Sequence, residues 1–197
     1  ELSGIGVDAI LVQDMSILRM DTGDMELHAS TQTDNRTPEK VSWLKDMGFS
    51  RVALARELSL EEISVIHQFV PDVELEAFVH GALCVSYSGQ CYISHHCLGR
   101  SANRGECAQL CRVKYDLVDA DDNVIERQRY LLSLRDMCRI DNIENLLSAG
   151  VTSLKIEGRL KDISYVKNVV AAYSNRLNDI IRRNPDKYQR ASLGRCE

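Results

Sequence analysis

The chain has 197 residues, of which 44% are hydrophobic and 27% are charged, a composition typical of a globular protein that buries its own core. Charged residues interrupt every apolar run before it reaches the roughly 18 to 20 residues needed to cross a bilayer, so we expect no membrane span. A formal net charge of -5 gives no general indication of nucleic-acid binding.

The first half of the chain alternates predicted strands with predicted helices. Short apolar runs that end in polar residues predict four strands, at 7–12, 25–30, 51–55 and 73–80. Thr37 and Pro38 open one helix with a capping hydroxyl and a proline in its first turn. Ser59 and Glu62 form a capping box that opens another helix. This alternation predicts a parallel sheet, in either a β/α barrel or an open doubly wound arrangement.

A cysteine-rich segment then interrupts the alternation. Its runs at 113–118 and 124–134 predict a β-hairpin with an acidic turn, so we interpret the segment as a β-excursion from the main sheet. The β/α pattern resumes with a helix capped at Asp141, a strand at 151–156 and a helix at 164–183. The predicted parts are therefore a barrel portion at 1–83, a cysteine-rich insertion at 84–138, final β/α units at 139–183 and a polar, mobile tail at 184–197.

Five strands fit the parallel pattern, whereas a closed TIM barrel needs eight. We therefore expect a TIM-barrel-like α/β fold that lacks its N-terminal strands. In such folds the active site lies where the strands end. In the strand at 73–80, side-chain alternation puts Glu76 and His80 on one face, which predicts that both reach the same cavity. An ion pair between Glu76 and Arg56 is the structural alternative.

Five of the seven cysteines lie between Cys84 and Cys111, which indicates a functional site. The odd number of cysteines and the absence of a signal-peptide pattern argue against a disulfide framework. We therefore expect a cytoplasmic protein with reduced thiols that bind a metal or a cluster. Four cations near the cysteines suggest either phosphate contacts or an ordinary solvated surface; they are Arg100, Arg104, Arg112 and Lys114.

The cysteine-rich segment and its flanks resemble peptidase family U32, the collagenase-like proteases. The blocks that carry the resemblance are 76–84, 88–91, 100–107, 111–112, 135–138 and 154–159. The resemblance extends over nearly the whole chain, but the first strands of the family's barrel have no counterpart. It therefore implies that the chain is part of a longer barrel protein.

The resemblance implies two competing functions. One is metal-dependent proteolysis, including collagen degradation. The other is RNA hydroxylation, which makes 5-hydroxycytidine in 23S rRNA or 5-hydroxyuridine in tRNA with an iron-sulfur cluster and with prephenate as a source. The chain has no H-E-x-x-H motif, no G-x-S-x-G motif and no evident nucleophile with a partnered base, so we expect hydroxylation. A metal-stabilised module that binds RNA or protein is the non-enzymatic alternative.

The resemblance also implies the ligands of a 4Fe-4S cluster, namely Cys84, Cys91, Cys107 and Cys138. Thiolates are the usual ligands of such clusters, although zinc on the same four residues is an alternative. Cys111 remains an alternative to Cys107 as the third ligand. We expect Cys97 and Cys196 to be free thiols.

The remaining site hypotheses concern the strand ends. RNA, with its target base turned out of the stack, is expected to contact five arginines, namely Arg56, Arg100, Arg104, Arg112 and Arg159. Four residues are candidates for proton transfer, namely Glu57, Glu76, His80 and Glu157. Lys155 and Arg159 are alternative ligands for a small carboxylate co-substrate such as prephenate, because arginine binds carboxylates bidentately.

Overall fold

The structure, a computed structural model, describes residues 3–189. In chain order its strands are β1 (Ala9–Val12), β2 (Glu26–Ala29), β3 (Phe49–Ala53), β4 (Glu74–Gly81), β5 (Tyr115–Val118), β6 (Val124–Arg129), β7 (Met137–Cys138) and β8 (Val151–Glu157). Its α-helices are α1 (Pro38–Asp46), α2 (Leu60–Phe69), α3 (Ile93–Leu98), α4 (Ile143–Ser148) and α5 (Ile163–Arg183).

The main sheet is mostly parallel. β1, β2, β3, β4 and β8 pair in that order with parallel register, and β7 pairs antiparallel to the end of β4. The predicted α/β class and its five parallel strands are therefore confirmed, and the arrangement is consistent with a TIM-barrel-like fold. Within residues 3–189, β1 and β8 each pair along one edge only, so this part of the chain forms an open sheet.

Local capping signals predicted two helix starts correctly. The Thr37 hydroxyl accepts a hydrogen bond from the Lys40 amide at 3.2 Å, at the start of α1. At the start of α2, the Ser59 hydroxyl accepts from the Glu62 amide, and the Glu62 carboxylate accepts from the Ser59 amide. Each cap satisfies backbone N–H groups that the first helical turn leaves without partners.

The hydrophobic core lies between the sheet and the helices. Leu75, Ala77 and Val79 of β4 are buried against it, together with Leu44 of α1 and Ile66 of α2. Alternating residues of β4 therefore face the helices, as the period-two pattern predicts. The other face of the sheet carries most of the polar side chains of β4.

A buried asparagine joins the ends of β2 and β3. The Asn35 side-chain amide donates to the carbonyls of Ser30 at 2.9 Å and Ala53 at 2.8 Å. Thr31 adds a hydroxyl hydrogen bond to the Leu54 carbonyl. These bonds satisfy buried carbonyl groups beyond the regular sheet and fix the loops that follow both strands.

The predicted hairpin of the cysteine-rich segment is confirmed, with shorter strands. β5 and β6 pair antiparallel, and β6 ends at Arg129 rather than near residue 134. The chain then returns to the main sheet and forms β7, which has only two residues and was not predicted. The short helix α3 was also not predicted, because its sequence has no capping residue and no apolar stripe.

The last helix agrees with its prediction within one residue at its start. After it, Tyr188 of the predicted tail packs against the core. The rest of that tail, with Cys196, lies outside the described residues. None of the helices described here has the length and apolar character required to cross a bilayer.

Gly81 is expected to be essential for the β4–β8 contact. It has φ +106, and a Cβ there would overlap the Glu157 carbonyl group. Gly48 is a matched control, because it has φ +95 but nothing within 4 Å of an added Cβ. We expect Gly48→Ala to cost about 1 to 3 kcal/mol of backbone strain, and Gly81→Ala to cost clearly more.

Urea denaturation of the two variants measures this difference. Equal unfolding midpoints for Gly48→Ala and Gly81→Ala would contradict the close approach of the two strands.

Candidate functional site

A cavity of about 300 Å³ lies at the carboxyl ends of the parallel strands. The residues that follow β2, β3, β4 and β8 all reach it, as expected for a parallel α/β sheet. Four thiols line it, those of Cys84, Cys91, Cys107 and Cys111. Its charged lining residues are Arg56, Arg112, Glu157 and Arg159. The sequence-based prediction of a site at the strand ends therefore agrees with the observed cavity.

Three of the four predicted cluster ligands share this cavity, and one does not. Cys138 lies on β7, exposed and paired with His80 of β4, while Cys111 lines the cavity instead. Burial raises the pKa of the Cys111 thiol, and the nearby Cys84 and Cys107 thiols raise it further. Cys97 is exposed and free, and no disulfide joins the six cysteines that the structure describes.

The thiols of the cavity are ligands of the type that an iron-sulfur cluster or a zinc ion takes. Among the described residues, no three His, Cys, Asp or Glu side chains lie close enough to bind one ion. An iron-sulfur cluster contains several irons, and a separate thiolate usually binds each one. Thiols that surround a cavity are therefore suitable ligands. The residues present therefore fit a cluster in their chemistry, with Cys111 in the cavity lining and Cys138 outside it.

Arg56 is a partly buried cation with an unused donor. Its guanidinium carbon lies 3.9 Å from the centroid of the Phe78 ring. Its Nε is buried and has no hydrogen-bond partner within residues 3–189. Burial lowers the pKa of Arg56, and the Cys84 thiol and the Glu157 carboxylate oppose that shift. Because a buried cation without a partner is unfavourable, this side of the cavity favours an anionic group.

Glu57 anchors a loop and does not line the cavity. Its two carboxylate oxygens accept hydrogen bonds from the amide and the hydroxyl of Ser88. The Ser88 hydroxyl in turn lies 3.4 Å from the Arg56 amide nitrogen, which donates to it. Glu57 was a candidate for proton transfer, but its contacts are those of a structural anchor between β3 and the loop after β4.

Glu76 and His80 do not reach one cavity, contrary to the prediction from side-chain alternation. Glu76 accepts hydrogen bonds from Lys155 at 2.7 Å and Ser153 at 3.0 Å, both on β8. His80 instead lies against α5, with Nδ1 3.3 Å from the Tyr173 hydroxyl. A register shift between Phe78 and His80 explains the difference, because a β-bulge breaks the alternation of faces.

Glu157 is the predicted proton-transfer residue that does line the cavity. Its Oε1 accepts a hydrogen bond from the Arg159 amide at 2.8 Å, and its Oε2 has no hydrogen-bond partner within the described chain. The Arg159 guanidinium also lines the cavity. Lys155, a predicted co-substrate ligand, is already paired with Glu76 and does not line it.

Arg112 is a structural clamp as well as a lining residue. Its guanidinium donates to the carbonyls of Leu83 at 2.5 Å and Leu134 at 2.6 Å, and to the Ser133 hydroxyl at 3.0 Å. It therefore ties the segment before β7 to the end of β4. The two remaining predicted RNA ligands, Arg100 and Arg104, are exposed and lie outside the cavity lining.

Sequence reasoning missed Tyr87, which lines the cavity from the loop between Cys84 and Cys91. Its ring is 60% exposed, and the Arg36 guanidinium lies over it, 4.9 Å from the centroid. The signal was available, since an aromatic residue stands between two candidate ligands. The sequence does not show that Arg36, which is distant in sequence, covers the Tyr87 ring.

The family model described as Peptidase family U32 matches residues 1–195. The chain belongs to peptidase family U32. The resemblance inferred from the cysteine blocks is thereby confirmed.

Relatives of this U32 chain carry names of two kinds. It is 53% identical over 197 residues to a 23S rRNA 5-hydroxycytidine synthase of Escherichia coli strain K12, covering 100% of the chain and 30% of that protein. It is 40% identical over 181 residues to tRNA hydroxylation protein P1 of Bacillus subtilis strain 168, covering 87% of the chain and 43% of the relative. A collagenase of Porphyromonas gingivalis is 35% identical, with coverages of 85% and 43%. The U32 chain thus spans less than half the length of each of these three relatives.

Removal of the Arg112 clamp is expected to destabilise the cavity wall. Hydrogen bonds to charged groups contribute about 1.5 to 3 kcal/mol each, so we expect Arg112→Ala to lower stability by at least about 2 kcal/mol. Arg112→Lys should recover little, because an ammonium group cannot make the same forked contacts. Urea denaturation and limited proteolysis near residue 134 measure the effect.

Arg100→Ala is the matched control for this prediction, since an exposed arginine outside the cavity should change stability by less than about 0.5 kcal/mol. An Arg112→Ala protein as stable and as protease-resistant as the control would contradict the clamp.

Proposed function

We propose that this chain is the catalytic part of an RNA hydroxylation enzyme that modifies a pyrimidine of rRNA or tRNA in the cytoplasm. One observation carries the proposal: the 53% identity to the 23S rRNA 5-hydroxycytidine synthase is measured over all 197 residues, the range that contains the thiol-lined cavity. The chain corresponds to only part of that relative, so the activity belongs to the full-length gene product.

The proposed cofactor is an iron-sulfur cluster, most simply a 4Fe-4S cluster, held by Cys84, Cys91 and Cys107 and by a fourth thiolate. The fourth ligand is Cys138 by family resemblance or Cys111 by its place in the cavity. Such a cluster supplies one-electron redox chemistry when bound. Zinc on the same thiolates is the alternative, and it would serve a structural role.

The chain's own residues would bind and orient the reactants. A base in a stacked helix is inaccessible to an enclosed site, so the target pyrimidine must leave the stack to enter the cavity. The partly buried Arg56 guanidinium offers a charge-assisted hydrogen bond to an anionic group, such as a carboxylate of a small co-substrate of the prephenate type. Arg159, with no side-chain partner within residues 3–189, is placed at the rim for a second anion.

Glu157 is the proposed general acid or base. Its carboxylate lines the cavity, and Oε2 is available to accept or return a proton, whereas Glu57, Glu76 and His80 are engaged elsewhere. The backbone hydrogen bond from Arg159 fixes the orientation of the carboxylate.

Proteolysis is the second candidate, because a collagenase is among the relatives. Within the described residues, no histidine lines the cavity, and its two buried serines have other roles. The Ser88 hydroxyl donates to Glu57, and the Ser94 hydroxyl accepts from the Ala108 amide. Neither serine has the partnered base that an activated nucleophile needs.

The cysteine proposal predicts the metal content of serine variants. In the full-length gene product purified without oxygen, Cys84→Ser, Cys91→Ser and Cys107→Ser should each lose the visible absorption band and most of the iron and sulfide. Cys97→Ser should retain both, because Cys97 is exposed outside the cavity. Comparison of Cys111→Ser with Cys138→Ser identifies the fourth ligand.

Retention of the full cluster in all three of the first variants would contradict the ligand assignment. A colourless wild-type protein with stoichiometric zinc would instead support the structural metal site.

The hydroxylation proposal predicts the nucleosides of a deletion strain. Mass spectrometry of its rRNA and tRNA should reveal the loss of one hydroxylated pyrimidine, which the wild-type gene restores. Glu157→Gln should lower the rate of modification by roughly 100-fold or more, as for other general acid–base residues. RNA binding by this variant should persist.

Unchanged RNA in the deletion strain, together with cleavage of a collagen peptide by the purified protein, would favour the peptidase function. Full restoration of the nucleoside by Glu157→Gln would remove Glu157 from the proposed chemistry.

A further inference from the structure

The loop that carries Tyr87 is fixed at three consecutive residues. Ser88 is bonded through its amide and its hydroxyl to the Glu57 carboxylate. Gly89 has φ +77, and a Cβ at this position would lie 2.5 Å from the Gln32 carbonyl oxygen. The loop therefore packs directly against the backbone that follows β2. Gln90 donates from its side chain to Asp34 at 3.1 Å. The three residues that directly follow Tyr87 are therefore held in place.

The cation over the Tyr87 ring is fixed as well. Arg36 forms an ion pair with Asp34: Nη2 donates to Oδ2 at 2.9 Å, and Nε lies 2.6 Å from Oδ1. The hydrogen bond to Asp34 raises the pKa of Arg36, so the guanidinium stays charged at physiological pH. Asp34 also accepts from Gln90 of the loop, so one carboxylate positions both the cation and the loop. One face of the Tyr87 ring is thus covered by an oriented guanidinium.

The remaining surface of Tyr87 has no structural use within the described chain. The ring is 60% exposed at the cavity, and its hydroxyl has no hydrogen-bond partner within residues 3–189. A large exposed aromatic side chain on a rigid loop favours the binding of another planar group, because little conformational entropy is lost when they stack. Tyr92 and Tyr130 are exposed to similar extents, 66% and 59%, but neither lines the cavity.

We propose that Tyr87 is the stacking platform for the RNA base that enters the cavity, with Arg36 fixed behind the ring. This inference rests on the proposed RNA hydroxylation function and deepens it by naming the residue that binds the base. Aromatic stacking recognises any base by its π face, so Tyr87 contributes affinity and orientation rather than the choice between cytidine and uridine. It is a binding residue, not a group that exchanges protons.

A thermodynamic cycle between the side chain and the base tests the platform. The ligands are two RNA stem-loops containing the nucleotide found by mass spectrometry, one intact and one with an abasic residue at that position. Their affinities are measured by fluorescence anisotropy for the wild-type full-length protein, Tyr87→Ala, Tyr87→Phe and Tyr130→Ala. Tyr130 is the matched control, because Lys114 lies over its exposed ring at 5.5 Å but the ring is outside the cavity.

We expect Tyr87→Ala to bind the intact RNA roughly 5- to 150-fold more weakly, the range that alanine substitution of a stacking residue produces. Its affinity for the abasic RNA should equal that of the wild type. Tyr87→Phe keeps the ring and should recover most of the loss, while Tyr130→Ala should bind both RNAs as the wild type does. Circular dichroism and the visible spectrum of each variant verify that the fold and the cofactor are retained.

Two results would overturn the platform. Equal losses by Tyr87→Ala on both RNAs would indicate a contact to the backbone or a damaged fold, and no loss on either RNA would remove Tyr87 from the binding site. Both leave the hydroxylation function intact. A different result, a deletion strain with unaltered RNA nucleosides, would refute the proposed function itself and the platform with it.

Discussion

The parallel pairing of β4 with β8 is the interaction on which the site depends. These strands are separated in sequence by the whole cysteine-rich segment, yet they pair from Leu75 with Val151 to Gly81 with Glu157, with register shifts after Leu75 and after Phe78. The pairing brings the start of the thiol-bearing loop next to the carboxylate of Glu157. Gly81 permits this contact because it has no Cβ to meet the Glu157 backbone. Without the pairing, the thiols and the strand-end charges would belong to two unconnected surfaces.

Local signals in the sequence predicted the five parallel strands and the helices α1, α2, α4 and α5, but not α3. The caps at Thr37 and Ser59 predicted the helix starts correctly, because each cap hydrogen bond forms within the first turn of its own helix. The position of the site also followed from the sequence, since parallel strands place their carboxyl ends at one edge. β7 was missed because two residues carry no periodic pattern, and it forms only through its pairing with the end of β4.

Residue type predicted where the polar side chains gather, but not what each one does. Alternation assigned His80 to the face of Glu76, and one bulge reversed that assignment. Glu57 and Arg112 have the chemistry of catalytic and binding groups, yet they form hydrogen bonds that hold loops in place. Spacing alone likewise could not decide between Cys107 and Cys111, and it did not show that both line the cavity while Cys138 lies outside it, because these positions depend on how the excursion folds back. Such contacts join residues far apart in sequence, and a one-dimensional pattern does not contain them.

The cavity is assembled from a segment that is synthesised before the strand that completes it. Cys84, Cys91, Cys107 and Cys111 all precede Val151, the first residue of β8. At a translation rate of about 5 to 20 residues per second, the last of these thiols leaves the ribosome on the order of seconds before β8 does. During that interval the sulfur atoms lack their final wall and are open to oxidants and competing metals. The order of synthesis thus leaves these thiols exposed to oxidation until β8 has formed.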